Sequence, residues 1–185
     1  MNLSTVSRGG ITMEFQFATA YNQEAVTALA KTLRKTARKK RSCRSHVFGV
    51  LVMILAILLT LPLGDKVFVL DFKTVVTWLA AAMIFFALIF EDRLNGYIAR
   101  KRMLPGLAKA TTTFKAEGYY SETEIGASEF KYSTIVALAE TERYFVFIFG
   151  KNHAQVYDKQ SITGGTMEEF REFITTVTGK NIEIV

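Results

Sequence analysis

The sequence predicts a membrane protein of mixed α+β class, with a two-helix transmembrane hairpin followed by an antiparallel sheet that one amphipathic helix caps. Three observations carry this expectation. Ser45 to Gly64 and Thr74 to Phe90 are uncharged, strongly apolar runs of membrane-crossing length. Basic residues crowd the outer flanks of both runs. Beyond Thr111 the chain turns to short strand-like stretches separated by turn residues, with a helical period only near the end.

Composition sets the frame. Half of the 185 residues are hydrophobic and 22% are charged, so the apolar character is concentrated in part of the chain. This excludes a disordered or collagen-like chain. Cys43 is the one cysteine, so no internal disulfide can form. The net charge of +6 is uneven: residues 1–45 carry +7, 46–90 are neutral, 91–102 carry +2 and 103–185 carry −3. Basicity is therefore a collar around the apolar runs. The C-terminal part is mildly acidic, which argues against nucleic acid as a partner.

The elements follow in order. Residues 1–12 are set apart as a possible non-native extension, because Arg8-Gly9-Gly10 suits a purine-rich stretch ahead of a start at Met13. Residues 13–44 form an arm. Within it Met13–Ala18 alternates as a half-buried strand does, and Asn22 caps a helix with Glu24 in its first turn. Val26, Leu29, Leu33 and Ala37 share one face of that helix, which is expected to run straight into the first span. The spans cover 45–64 and 74–90. Pro62 and Gly64 end the first, and Val67–Leu70, within a neutral loop, either lies at the interface or extends a helix end. About 45 residues precede the first apolar run, which points away from a cleaved signal peptide.

Basic groups next to a span stay cytoplasmic, so both termini are expected inside and the short loop outside. The Asn2-Leu3-Ser4 sequon is then a chance match. Residues 91–108 read as a basic linker. The residues expected to touch anionic headgroups are Lys31, Arg34, Lys35, Arg38, Lys39, Lys40, Arg41, Arg44, Arg100, Lys101 and Arg102.

In the cytoplasmic domain, 109–185, strands are expected at Thr111–Glu117, Tyr119–Ile125, Phe130–Glu140, Tyr144–Phe149 and Ala154–Tyr157. Gly118 and Gly150–His153 supply turns. Tyr144–Phe149 is either core or a groove. Thr166 to Glu169 fits a capping box, Met167, Phe170, Ile174 and Val177 share a helical face, and Gly179 stops the helix. Whether the arm strand joins this sheet stays open.

The arm, the hairpin and the strand-rich tail together resemble the YcxB-like family of bacterial membrane proteins. The resemblance rests on Phe114–Gly118, Ser128–Ile135, Ala139–Phe145 and Glu168–Phe173. It departs at Tyr157-Asp158-Lys159, where a proline before the lysine is common in the family, and at Tyr132, where tryptophan is common. The resemblance implies a pleckstrin-homology-like domain in a bacterial cytoplasmic membrane.

No catalytic constellation emerges. Cys43 and His46 share a helix face, but two ligands make no zinc site, and His153 sits in a turn. Thr163-Gly164-Gly165-Thr166 is either a capping turn or a phosphate cradle that lacks the usual lysine. Glu122, Glu124 and Glu129 read as an exposed strand face, and Asp65 and Asp71 as a solvated loop. Neither cofactor, metal nor enzymatic activity is expected. The sequence points to an inner-leaflet interaction module that binds a protein, a peptide or a lipid headgroup, with homo-oligomerisation open. The alternative is an accessory or immunity-type subunit of a transporter or envelope complex. It would act through its spans, where Ala80, Ala81, Ala82 and Ala87 allow close helix approach.

Overall fold

A computed structural model describes residues 14–62 and 70–185. Residues 1–12, Met13, Gly64, the Asp65 end of the loop and most of Val67–Leu70 lie outside the described residues. The architecture is mixed α/β, with antiparallel sheets and two helices long and apolar enough to cross a membrane.

The arm strand β1 (Phe15–Ala20) buries every second residue, and its position in the fold answers the question the sequence left open. It pairs antiparallel with β2 (Lys109–Phe114), from Phe15 opposite Phe114 to Ala20 opposite Lys109. Strands β3 (Tyr119–Thr123) and β4 (Gly126–Phe130) complete this first sheet in the order β1-β2-β3-β4. The second sheet contains β5 (Ala137–Glu140), β6 (Tyr144–Ile148), β7 (Ala154–Asp158) and β8 (Ile182–Ile184), in the order β7-β6-β5-β8. Only β8 runs parallel to its neighbour.

The helical segment is inserted between β1 and β2. Helix α1 (Gln23–Lys35) starts at Asn22, whose Oδ1 accepts from the Ala25 N–H at 2.8 Å. It does not run straight into the first apolar helix. The chain breaks at Thr36–Arg38 before α2 (Lys39–Leu58) begins. The break has a physical cause: Thr36 leaves helical dihedrals, and the Arg38 guanidinium reaches Lys151 O at 2.7 Å and Asn152 Oδ1 at 2.8 Å. Helix α1 can therefore lie on the second sheet while α2 departs from it.

Helix α3 (Phe72–Ile89), capped by Asp71, packs against α2. Gly49 faces Leu88 so closely that a Cβ there would meet its side chain at 3.0 Å. Ala81 is half-buried, whereas Ala80, Ala82 and Ala87 are exposed. The expected linker is instead a helix over much of its length, α4 (Glu91–Lys101), docked along α1. Gly96 permits this packing, since a Cβ there would sit 2.9 Å from the Thr27 Cα.

Strand β6 decides the core. All five residues are buried, with Phe145 and Phe147 facing the first sheet, and Tyr144, Val146 and Ile148 facing α1. Tyr144–Ile148 is thus core on both faces and not a groove. The inner cluster is aromatic: Phe17 packs on Phe114, Tyr157 and Phe170 with ring centroids 4.7–5.8 Å apart. Helix α5 (Met167–Thr178) closes it with Phe170 and Ile174, entered through the Thr166–Glu169 capping box and ended by Gly179 in the left-handed region. The stretch expected as one strand, Phe130–Glu140, is interrupted by a 3-10 turn at Tyr132–Thr134. Tyr132 is buried there, and its hydroxyl donates to Lys115 O at 2.6 Å.

One buried ionic cluster ties the second sheet to α5. Glu140 is only 4% exposed and accepts from Lys159 Nζ at 2.7 Å and from Arg171 Nη2 at 2.8 Å. Burial pushes its carboxyl up, but the hydrogen bonds from Arg171 and Lys159 outweigh this, so the net shift is downward.

Candidate functional site

The break between α1 and α2 creates the most strongly charged concavity among the described residues. Helix α2 opens with Lys39, Lys40, Arg41 and Arg44 on its first turns, all exposed. Opposite stands the β6–β7 turn, held in place by the Arg38 contacts to Lys151 and Asn152. Between them lies a bay of about 640 Å³, lined by these four residues, Arg38 and Lys151. Among the described residues no acidic side chain lines it. Lys39, Lys40, Arg41, Arg44 and Lys151 have no ion-pair partner there. Mutual repulsion disfavours such a cluster until an anion enters, and the N-terminal dipole of α2 acts in the same direction. From Val47 onward α2 is apolar and largely exposed, so the bay opens at the border between charged and apolar surface.

The other basic residues are distributed differently. Arg34 is committed to Asp92 of α4 through two bonds of 2.6 and 2.8 Å, and this hydrogen bonding raises its pKa. Lys35 lines a neighbouring cavity of about 370 Å³ with Lys39, His46 and Glu183. Lys31 is half-buried on α1. Arg100, Lys101 and Arg102 are exposed at the far end of α4, roughly 15 Å along its axis from Glu91, and take no part in the bay. The sequence missed Lys151 as a member. It sits more than a hundred residues from Arg38, and only the packing of α1 on the second sheet brings them together.

The remaining candidates find structural explanations. His46 Nδ1 lies 2.9 Å from Ser42 O and its Nε2 lies 3.5 Å from Glu91, while Cys43 is exposed. Among the described residues no cluster of three metal-ligating groups occurs. The Thr163–Thr166 turn caps α5, and Gly164, at φ +90°, lies against the Glu14 carbonyl in a space that a Cβ cannot share. Asp71 caps α3, and Glu122, Glu124 and Glu129 are exposed.

These features define an α+β domain that carries an apolar helical hairpin between its first two strands, with a cationic bay at the junction. Residues 114–174, from the end of β2 into α5, match the family model described as YcxB-like protein. The chain thus has a YcxB-like domain in its C-terminal part, and β1, α1 and the hairpin precede the matched region. No curated protein matches the chain.

Proposed function

We propose that the chain is a membrane-anchored binding module that holds anionic phospholipid headgroups in the basic bay. In this reading the α2–α3 hairpin spans a bacterial cytoplasmic membrane, both termini are cytoplasmic, and the domain rests against the inner leaflet. The observation that carries it is the set of five cations around one cavity at the foot of an apolar helix, none of them ion-paired among the described residues. The PH-like reading of the domain is supported by two packed strand groups, β1–β4 and β5–β7, closed by the C-terminal helix α5. The domain is rigidly coupled to the hairpin, because the Arg34–Asp92 pair and the Gly96–Thr27 contact lock α1 onto α4.

Native mass spectrometry of the full chain released from nanodiscs of mixed phosphatidylglycerol and phosphatidylcholine tests the proposal. At about 1 kcal/mol per basic group near an anionic surface, Lys40→Gln, Arg41→Gln and Arg44→Gln together reduce phosphatidylglycerol retention by roughly a hundredfold. Equal retention of both lipids by the unaltered chain refutes the reading. The alternative role as an accessory or immunity-type subunit is favoured by one observation: Ala80, Ala82 and Ala87 face outward on α3. Its test is recovery of a polytopic membrane partner that Ala82→Leu abolishes.

A further inference from the structure

The first sheet changes character along its length. On its inner face, β2, β3 and β4 align in rows. Phe114, Tyr119 and Phe130 form the first row, with stacked rings 4.9 and 5.1 Å apart. The next rows are Thr112, Ser121 and Ser128, then Ala110, Thr123 and Gly126. Replacing aromatic rows by short side chains leaves volume between the sheets. The result is a cavity of about 480 Å³, walled on the outside by Met103, Leu107 and Ile125. That volume lies within the range of small-molecule sites. Among the described residues no charged side chain lines it, in contrast to the basic bay.

One polar group is positioned in this cavity. Gln155 lies on the inward-facing side of β7, and its Oε1 accepts from the Tyr157 hydroxyl at 2.6 Å and the Tyr119 hydroxyl at 3.1 Å. Both tyrosines are buried to within 1%. With its carbonyl end fixed twice, the amide is oriented, and its NH2 group has no hydrogen-bond partner among the described residues. Two buried tyrosine hydroxyls thus orient an amide donor at the wall of a cavity lined otherwise by apolar and hydroxyl-bearing side chains.

We infer that this cavity is a binding site for a neutral, mainly apolar small molecule bearing a carbonyl group. The carbonyl oxygen accepts from the Gln155 amide, and the apolar body lies over Ala110, Ser121 and Ser128 in place of the missing aromatic rows. The lack of charged lining excludes the phosphate chemistry of the bay, so the two sites are independent.

The test uses the full chain in nanodiscs and two fluorine-labelled probes, 4-fluoroacetophenone and its acceptor-free counterpart 4-fluorotoluene. Fluorine NMR line broadening is corrected with empty nanodiscs. The ketone is expected to bind saturably, and the toluene about fivefold more weakly for want of one hydrogen bond. Ser128→Leu, on the exposed edge strand, fills the cavity without disturbing the core and weakens the ketone by about tenfold or more. Gln155→Leu removes the preference for the ketone. Absence of saturable binding, equal affinity for the two probes, or an unchanged affinity in Ser128→Leu overturns the inference.

Discussion

The pairing of β1 with β2 means that residues 103–185 are an incomplete domain, and expressing them alone removes a defined part of the core. Strand β1 contributes Phe15 and Phe17, both with no exposed surface. Phe17 contacts Phe114, Tyr157 and Phe170, while Phe15 lies against Phe170 and Phe173 at 5.3 and 5.2 Å. Loss of a buried phenylalanine side chain costs about 3–5 kcal/mol, so the pair is worth about 6–10 kcal/mol. A domain of this size has about 5–15 kcal/mol in total. Removing β1 also strips the β2 edge of its backbone partner, and removing α1 exposes Val146, Ile148 and Val156. The isolated 103–185 fragment is therefore expected to lack dispersed amide resonances and a cooperative urea transition. Adding a peptide of residues 14–37 in trans is expected to restore both. A cooperative, well-dispersed fragment 103–185 with no peptide refutes the reasoning, because it shows that β1 is dispensable to the core.

Three further outcomes follow from specific contacts. Gly96→Val places carbon against the Thr27 backbone, where a Cβ has only 2.9 Å; it is expected to cost about 1–3 kcal/mol and lower the melting temperature of the full chain in detergent by several degrees, roughly 2–4 °C per kcal/mol. Glu140→Leu removes the carboxylate shared by Lys159 and Arg171, which keep Thr141 O and Glu168 as partners, and is expected to cost about 1–3 kcal/mol in urea unfolding at neutral pH. Since the folded Glu140 carboxyl titrates below its ordinary value, its contribution is present above pH 4.5 and is lost as pH falls through the folded value. Glu140→Gln should flatten that acid dependence, and an unchanged pH profile counts against the cluster. Gly164→Ala meets both a positive φ of +90° and the Glu14 carbonyl; a loss of about 2 kcal/mol or more is expected, and an unaltered melting curve contradicts the close approach of the turn to β1.

Much of the fold is legible because local signals agree with the final packing. Asn22 and Thr166 cap the helices the sequence assigns to them, and Gly179 ends α5 in the conformation glycine favours. The Val26–Leu33 face of α1 is buried where its period places it. What escapes the sequence is long-range. The break at Thr36–Arg38 depends on Arg38 finding Lys151 across the fold, so no local helix-stop residue marks it. Helix α4 is masked by its basic end, and its docking along α1, which Gly96 permits at Thr27, joins residues distant in sequence. Strand β8 is only three residues long and is held by β5. The candidate site is split in the same way. The basic run from Lys39 to Arg44 is plain in the sequence, whereas the wall formed by Lys151 and Asn152 needs the tertiary structure. The Glu140 cluster and the oriented Gln155 are equally non-local.

The proposal that the basic bay takes anionic headgroups is tested most directly by photolabelling in place. Full chain reconstituted in liposomes with phosphatidylglycerol carrying a headgroup diazirine is irradiated, digested and mapped. Adducts are expected to concentrate in residues 36–44 and 150–153, the two walls of the bay, and to fall away in the Lys40→Gln, Arg41→Gln, Arg44→Gln variant. Adducts confined to other surfaces, or the same map from the corresponding phosphatidylcholine probe, contradict the account.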